Sequence, residues 1–443
     1  MALYVKNDSG PSVPAGVEDP KPSGIRVIIV GAGFAGLAAA IECTRKGHSC
    51  LVLESYRKTN VQLGDIISFG SNAGRIFDRW PGVPDKLASI CHVSDHTTFN
   101  DWKGEHIYTQ YWTPHEQSFG KRYNGHRGEI HKIVFDHAVE QGVEIRLGQQ
   151  VTEYFESDQG AGVVSDGERI TGDVVLGADG VRSKARMLVL GYDDKPKPSG
   201  YAIYRAWMDS TELAKHELTK DLVTNGDTHT GWLGPDIHFL AASIKGGRDF
   251  SWVFTHKDER DVDEGWAEPG DHDDACRILK GWDPTVHAIV RMTPPEKLVD
   301  WKLVYRDPLP TWVSPLARTA LIGDAAHPFL PTSIQGASQA MEDGACLAVC
   351  LQLAGRKDVP LALRAFEKMR YERVRRVQKT GETTRDKWHK ADFENIKKNP
   401  EAIRMKREEW ILAHDAEDHA YQAWLDAVAE LERAELERAE LER

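Results

Sequence analysis

Three glycines and one carboxylate form the pattern with the clearest chemical meaning. Gly31, Gly33 and Gly36 follow the apolar run RVIIV in a GxGxxG spacing, and Glu54 ends the next apolar run eighteen residues after Gly36. Glycines so spaced let a backbone turn approach a ligand, and the helix N-terminus behind them attracts a pyrophosphate. A carboxylate at the second strand's tip accepts hydrogen bonds from a ribose. The pattern predicts a dinucleotide site; a glycine-rich turn that binds nothing is the alternative.

The segments around this pattern have the order of a βαβ unit. RVIIV is typical of a buried strand, LAAAIECTRKG of a helix that ends at Gly47, and SCLVLES of a second strand. The glycines therefore lie in a turn between a strand and a helix, which is the context that dinucleotide binding requires.

Two further turns follow apolar runs much later in the chain. Asp179 and Gly180 follow the first of these runs, in DVVLGADGVRSKAR. Gly323 and Asp324 follow the second, ahead of a predicted helix, in LIGDAAHPFLPTSIQGASQAMED. Gly323 lies almost three hundred residues beyond the GxGxxG turn, too far to belong to the same mononucleotide unit. Three ligand-approach features predict a ligand longer than one mononucleotide.

In their order and content, these motifs resemble the three fingerprints of the class A flavoprotein monooxygenases, the family of p-hydroxybenzoate and salicylate hydroxylases. The match extends over roughly residues 25 to 415. The resemblance implies FAD as the cofactor. It also implies an α/β fold: a Rossmann-like three-layer FAD domain, an inserted mixed-β substrate domain and a helical C-terminus. Three ordered motifs are far more specific than one.

The resemblance further implies which residues contact FAD. Asp324 would bond to the ribityl chain, Gly336 and Ala337 would let the isoalloxazine approach, and further contacts are expected at Ser68, Arg127 and Asp179. Other roles stay open, because Arg127 could be a helix-cap residue on the surface and Asp324 could cap the next helix. His327 is interpreted as a packing residue rather than an acid or base.

Two positions depart from the family pattern near the expected flavin. The family commonly has Gly-Gln-Gly where this chain has Ile334, Gln335 and Gly336. A β-branched residue disfavours positive φ, so we expect FAD to bind with altered local positioning. Ser68 stands where relatives often have Gly or Ala, which is the milder change.

Three residues are candidates for contact with the substrate. Arg205 lies in the strand-like run GYAIYRAWMD, which resembles SGYxxxRA in fungal monooxygenases that dearomatise phenols or oxidise prenylated indole alkaloids. By that resemblance, Arg205 would orient a phenolate or stabilise a developing oxyanion. Asp65 matches an acidic residue that neighbours the substrate in the indole oxygenases, with a helix or turn cap as its alternative. His238 is a possible substrate-orienting residue, but core packing is its preferred interpretation.

The resemblance implies an FAD-dependent monooxygenase that uses NAD(P)H and O2 on an electron-rich aromatic small molecule. The sequence contains no second GxGxxG, so it gives no indication of a separate domain for NAD(P)H. The preferred reaction is 2,3-epoxidation of an indole alkaloid in fungal-type secondary metabolism, with possible semipinacol rearrangement to a spiro-oxindole. A phenol or salicylate hydroxylase is the alternative within the same chemistry. A flavin-binding module without oxygen chemistry is the alternative outside it.

These assignments predict a division of the chain into discontinuous domains. We expect a flexible leader over residues 1–24 and a helical region over residues 361–443. The FAD domain is expected to comprise residues 25–80, 121–199 and 302–360, and the substrate domain residues 81–120 and 200–301.

Composition narrows the classes of partner. The 443 residues carry 56 Lys and Arg against 68 Asp and Glu, a net charge of −12 that disfavours nucleic acid. The six cysteines form no CxxC pair, and Cys346 and Cys350 are interpreted as buried hydrophobes rather than metal ligands. No apolar run is long enough to span a bilayer, and the N-terminal segment has no signal-peptide character. We therefore expect an intracellular protein located in the cytoplasm.

Overall fold

The computed structural model describes residues 3–5, 21–58, 65–258, 268–389 and 391–441. Its strands are β1 (Leu3–Val5), β2 (Arg26–Val30), β3 (Ser49–Glu54), β4 (Ile66–Phe69), β5 (His96–Asp101), β6 (His106–Tyr111), β7 (Tyr123–His126), β8 (Glu144–Leu147), β9 (Val151–Ser157), β10 (Gly160–Ser165), β11 (Glu168–Gly172), β12 (Val174–Gly177), β13 (Lys197–Asp209), β14 (His229–Gly234), β15 (Ile237–Ile244), β16 (Asp249–Lys257), β17 (Glu268–Pro269), β18 (Val299–Tyr305) and β19 (Thr319–Leu321).

The helices follow the same chain order. They are α1 (Phe34–Arg45), α2 (Ser71–Phe77), α3 (Val83–Ala88), α4 (Pro114–Gln117), α5 (Arg127–Glu140), α6 (Ala185–Leu190), α7 (Thr211–Lys215), α8 (His272–Ile278), α9 (Pro284–Met292), α10 (Gly336–Ala354), α11 (Val359–His389), α12 (Glu409–Leu412) and α13 (Ala416–Leu441).

A sheet in the order β1-β8-β3-β2-β12-β19 forms the middle of a three-layer unit. Its pairings are parallel except for β1 against β8. β2 is apolar on both faces, as a covered parallel strand must be. Val27 and Ile29 pack with α1 and α10, whereas Ile28 and Val30 pack against the small antiparallel sheet of β9, β10 and β11. The predicted three-layer α/β arrangement is confirmed.

A second sheet has the order β17-β18-β13-β16-β15-β14-β5-β6 and is mixed, because β14 and β5 are parallel while its other pairings are antiparallel. One face is a closed aromatic core, in which Trp252, Phe239 and Phe254 stack and pack with α8 and α9. Since successive side chains alternate between faces, Tyr201, Ile203, Arg205 and Trp207 of β13 lie on the opposite face. The predicted mixed-β unit is confirmed.

The ribbon of β4 and β7 joins the two sheets. β4 follows β3 along the chain and β7 leads directly into α5, while Phe69 at the end of β4 packs on Phe34 at the start of α1, with ring centroids 5.0 Å apart. Trp207 of the large sheet packs edge-on against His126 at the end of β7, with ring centroids 4.7 Å apart. The large sheet is thereby brought against the ribbon.

The helical C-terminal region is held to the three-layer unit by buried charges. Arg370 of α11 forms ion pairs with Glu342 and Asp343 of α10, and Arg373 donates to Glu342 Oε2 at 2.8 Å. Burial alone would raise the pKa of Glu342, but the charges of Arg373 and Arg370 outweigh it and hold the pKa well below its usual range. These pairs fix α11 against the helix that begins at the expected flavin site.

The ends of the chain add two observations. Most of the predicted leader, residues 6–20, lies outside the described residues, while Leu3–Val5 pairs antiparallel with Glu144–Leu147 at the sheet edge. Among the described helices, none combines the length and hydropathy needed to cross a membrane. The predicted domain boundaries stay a prediction.

Candidate active site

The glycine turn has the geometry of a phosphate cradle. Gly31 has a φ of +107°, and a Cβ there would lie 2.3 Å from Ala178 O. A Cβ on Gly36 would lie 2.0 Å from Gly31 O, so this glycine lets α1 pack tightly on its own turn. A Cβ on Gly33 would meet no heavy atom within 4 Å. Gly33 is also the N-cap of α1 and gives the helix no side-chain cap, so free N–H groups face this open space.

Glu54 lies at the tip of β3 as predicted, beside the glycine turn. Its Oε2 accepts a hydrogen bond from the Ala32 backbone N–H at 2.7 Å, and Oε1 accepts one from the Tyr56 backbone N–H at 2.8 Å. A carboxylate has lone pairs for about four such bonds, so a ribose can still be accommodated.

Asp179, unlike the other predicted cofactor residues, has a carboxylate oxygen that accepts hydrogen bonds from both a tyrosine hydroxyl and the backbone. Its Oδ2 accepts hydrogen bonds from the Tyr154 hydroxyl at 2.8 Å and the Lys184 backbone N–H at 2.9 Å. Burial and the neighbouring carboxylate raise the pKa of Tyr154 well above its usual value. These bonds give Asp179 a role in holding the turn before α6, and its contact with FAD stays a prediction.

Asp324 lies where β19 ends, in the short turn Gly323–Ala325. The residue is exposed to solvent, yet the surrounding protein raises the pKa of its carboxyl by desolvation, with Arg127 and His327 acting in the opposite direction. The Asp324 carboxylate is therefore open to solvent although many protein atoms surround it. His327 is buried, and its Nε2 lies 2.6 Å from Asp343 Oδ2, which agrees with a packing role.

The loop between Asp324 and α10 carries the residue that departs from the family pattern. Ile334 adopts φ +55° and ψ +22°, which is the left-handed conformation that β-branched residues avoid. Its side chain stays 42% exposed, so little packing offsets this strain. Gly336 and Ala337 begin α10 directly after it and are half-buried. A strained residue therefore lies two positions before the start of α10, where contact with the isoalloxazine is predicted.

Ile334→Gly is expected to stabilise the protein by about 0.5–1 kcal/mol. The left-handed conformation costs isoleucine about 1–2 kcal/mol, and the greater conformational entropy that glycine loses on folding offsets part of the relieved strain. Urea unfolding of the apoprotein measures the change. Ile334→Ala is the matched control, since it removes the branched side chain but keeps a Cβ at positive φ, and it should not stabilise. Stabilisation by alanine equal to that by glycine would contradict the strain argument.

Asp65 and Arg205 form an ion pair through Asp65 Oδ2 and Arg205 Nη1. Asp65 precedes β4 and Arg205 lies in the middle of β13, so the contact spans the junction between the ribbon and the large sheet. The Arg205 side chain is 11% exposed and its guanidinium lies 5.0 Å from the Trp301 ring centroid. Burial lowers the pKa of Arg205, while Asp65 raises it. Within the described residues, Arg205 Nε has no hydrogen-bond partner, so one donor remains for a ligand.

Arg127 lies beside this ion pair and acts electrostatically on Asp324 as well. Its backbone N–H donates to Asp65 O at 2.9 Å, and its Nη1 lies 4.0 Å from Asp65 Oδ2. The guanidinium is 44% exposed at the N-terminus of α5, and its charge lowers the pKa of Arg205 and opposes the raised pKa of Asp324. A half-exposed cation in this position suits the phosphates of a dinucleotide.

The walls around Arg205 include residues that the sequence did not single out. Trp301 of β18 stacks beside the guanidinium, while Tyr201 and Trp207 of β13 lie half-buried on the same face. The alternation of β13 could have identified Tyr201 and Trp207, but Trp301 is nearly one hundred residues away and only the strand pairing brings it close. Half-buried aromatic residues around a cation are typical of a pocket for an aromatic ligand.

His238 lies in the packing between the large sheet and the end of α11. It is 3% exposed, with Nδ1 2.8 Å from His389 Nε2 and Nε2 3.3 Å from Thr255 Oγ1. Because both ring nitrogens have partners inside the protein, the geometry gives no support to the predicted substrate-orienting role and agrees with the alternative of core packing.

Acidification is expected to destabilise the fold through His238, whose pKa burial lowers from 6.5 to about 3. The unfolded chain binds a proton near pH 6.5 and the folded chain only near pH 3, so stability falls as the pH falls through this window. Between pH 7 and pH 5 this histidine should cost about 2 kcal/mol. Urea unfolding of His238→Gln, which keeps a hydrogen-bonding side chain, should show a smaller acid loss. Equal losses in both proteins would contradict the assignment.

The residues present fit FAD. The open space before Gly33 and the uncapped N-terminus of α1 suit the pyrophosphate, and Glu54 suits the adenosine ribose. The N-terminus of α10 likewise has no side-chain cap, Gly336 and Ala337 are half-buried at its start, and Asp324 is exposed in the turn after β19. When bound, FAD would supply the redox chemistry of the site.

Comparisons with known proteins identify the family of this chain. The family described as FAD binding domain matches residues 24–380. Asperlicin C monooxygenase of Petromyces alliaceus is 35% identical over 430 residues, which cover 95% of this chain and 92% of that protein. Notoamide E oxidase of Aspergillus versicolor is 33% identical over 440 residues, covering 96% and 94%.

A solved structure extends the likeness to three dimensions. The crystal structure of CtdE in complex with FAD and substrate 4 superposes with a TM-score of 0.86 at 35% identity, covering 92% of this chain and 100% of that one. A profile match over more than half of the chain, and relatives above 30% identity over nearly all of it, are sufficient to assign a family. The chain belongs to the FAD binding domain family and, within it, to the class A FAD-dependent monooxygenases that include the fungal secondary-metabolism enzymes.

Proposed function

We propose that this monooxygenase uses NAD(P)H and O2 to epoxidise the 2,3-bond of an indole alkaloid. The observation that carries the proposal is the ion pair between Asp65 and Arg205, which brings together a carboxylate acceptor and a guanidinium whose Nε has no partner among the described residues. One oxygen atom of O2 enters the substrate and the other leaves as water, while NAD(P)H supplies the two electrons with one hydrogen of that water and a proton supplies its second hydrogen.

The two charged residues have complementary tasks in this reaction. Opening of a 2,3-epoxide places negative charge on its oxygen, and the Arg205 guanidinium can donate a hydrogen bond to that oxygen. Asp65 can accept the proton of the indole N–H or hold a cationic amine of the substrate. Their ion pair with each other fixes both groups before the substrate binds, so little reorganisation accompanies the reaction. Rearrangement to a spiro-oxindole would follow from the opened epoxide.

The aromatic walls support substrate selection. Trp301, Tyr201 and Trp207 offer faces on which a flat bicyclic ring can stack, and His126 closes the side of Trp207. Closely packed aromatic walls also exclude water from the site of oxygen transfer. The relatives named for asperlicin C and notoamide E, both fungal, are consistent with a secondary metabolite as substrate.

A phenol hydroxylase remains the second candidate, because Arg205 would equally orient a phenolate. Asp65 distinguishes the two reactions. A carboxylate within the ion pair repels a phenolate but accepts a hydrogen bond from an indole N–H, so the observed pair favours the indole.

Turnover under ¹⁸O₂ with a panel of prenylated indole alkaloids and substituted phenols tests the proposal by mass spectrometry. We expect one ¹⁸O atom in an indole product and none in the phenols. Asp65→Asn should lower indole turnover, because the neutral amide accepts the N–H proton poorly. Turnover of phenols without any indole product would reject the indole proposal and leave an aromatic hydroxylase. Absence of oxygen transfer to every compound, in a protein that binds FAD, would favour a non-catalytic flavin-binding module.

A further inference from the structure

A buried polar side chain connects the loop before α10 to the helices behind it. Asn72 of α2 is fully buried, and its Nδ2 donates hydrogen bonds to Gln335 Oε1 at 3.1 Å and to Glu342 Oε1 at 2.6 Å. Gln335 is the N-cap of α10, directly before Gly336 and Ala337. Asn72 therefore holds the side chain of the residue that sets the start of α10.

Glu342 continues this connection to the C-terminal segment. Arg373 donates to both carboxylate oxygens of Glu342, at 2.8 Å and 2.9 Å. The same guanidinium donates to the backbone carbonyls of Trp410 at 2.8 Å and Ile411 at 3.1 Å. A continuous set of buried hydrogen bonds thus leads from Gln335 to α12, and low dielectric surroundings strengthen each of them.

The residues before Gln335 are held from the opposite side by α11. Thr332 Oγ1 donates to Gly381 O at 2.8 Å, and Gln378 Nε2 donates to Pro328 O at 3.0 Å. A Cβ on Gly381 would lie 2.9 Å from Ser333 Cβ, so the loop packs directly on the helix backbone. Ile334, in its left-handed conformation, lies between these two anchors. A strained residue persists only where its surroundings hold it, and here both neighbours are held.

We propose that Asn72 is a positioning residue for the flavin, which acts through Gln335 to hold the N-terminus of α10 and the left-handed turn at Ile334. This inference rests on the FAD site described above. Asn72 lies on the far side of Gln335 and does not need to contact the cofactor. Loss of its hydrogen bonds should let the turn relax toward conformations with negative φ, which moves Gly336 and Ala337 away from the isoalloxazine.

The test compares three variants in the oxidised, substrate-free protein. Asn72→Ala removes both hydrogen bonds, and Gln335→Met removes only the one to Gln335 while keeping side-chain length. Ser71→Ala is the matched control: Ser71 Oγ donates to Leu412 O at 2.7 Å, so this variant loosens the same helix and the same C-terminal segment without touching Gln335. Three readouts are taken: the Kd for FAD, the absorption spectrum of bound flavin, and backbone hydrogen exchange of residues 334–338 in the apoprotein.

Asn72→Ala and Gln335→Met should each weaken FAD binding about tenfold, the effect of losing a buried hydrogen bond or two. Both should also shift the flavin spectrum and speed exchange at residues 334–338, whereas Ser71→Ala should change none of the three. Lowered stability with an unchanged spectrum, Kd and exchange would overturn the inference and leave Asn72 a purely structural residue. Should Asn72→Ala fail to fold, Gln335→Met decides alone. A wild-type protein that binds no FAD would reject the cofactor site itself, which is a distinct result.

Discussion

Arg205→Met is expected to lower the kcat for oxygenation by a factor of about 10²–10³, the usual cost of removing one donor that stabilises a developing oxyanion. Methionine keeps much of the volume and the contact with Trp301, so the pocket should retain its shape. The Kd for FAD should change little, because Arg127, Glu54 and the glycine turn lie on the cofactor side of the ion pair.

Two further variants give this prediction its controls. Arg205→Lys keeps the positive charge near Asp65 but lacks the planar fork and the Nε donor, so it should restore only part of the activity. Arg122→Met removes another part-buried arginine that stacks on a tryptophan, with its guanidinium 3.2 Å from the Trp112 ring centroid. This variant should retain activity. Full activity in Arg205→Met, or an equal loss in Arg122→Met, would contradict the role of Arg205 in the site.

Gly33→Ala is expected to weaken FAD binding on the order of 100-fold without destabilising the apoprotein. Gly33 has a φ of −72°, which alanine adopts freely, and its Cβ would point into space that contains no protein atom within 4 Å. That space is where the pyrophosphate must approach the backbone. Fluorescence titration of the apoprotein with FAD measures the Kd, and urea unfolding without FAD measures the stability.

Gly36→Ala, three residues away, should behave in the opposite way. Its Cβ would lie 2.0 Å from Gly31 O, so α1 must shift and the apoprotein should lose about 1–3 kcal/mol of stability. The pair separates a glycine needed for the ligand from a glycine needed for packing. Normal FAD binding by Gly33→Ala would show that the pyrophosphate lies elsewhere.

The sequence allowed the glycine turn to be predicted well, because its three glycines and Glu54 act within one local βαβ unit. The predicted strand, helix and strand agree with β2, α1 and β3. The backbone strain at Ile334 could also be predicted, since a β-branched residue replaces a glycine of the family pattern. In the structure, Ile334 has a positive φ.

Contacts between segments far apart in the chain could not be predicted from the sequence. Asp65 and Arg205 were each predicted near the substrate, but their ion pair depends on how the ribbon of β4 and β7 docks on the large sheet. Asn72 and Glu342 gave no signal, because the sequence does not show whether a polar residue of a helix is buried or exposed. Only the packing of α2, α10 and α11 joins them.

Anaerobic stopped-flow reduction by NADPH, with and without the panel of indoles and phenols, tests the central claim most directly. We expect a yellow protein whose flavin absorbance is bleached by NADPH, with an indole alkaloid accelerating the bleaching more than any phenol. A colourless protein, or a flavin that NADPH never bleaches with any compound, would contradict the assignment of this chain as a catalytic monooxygenase.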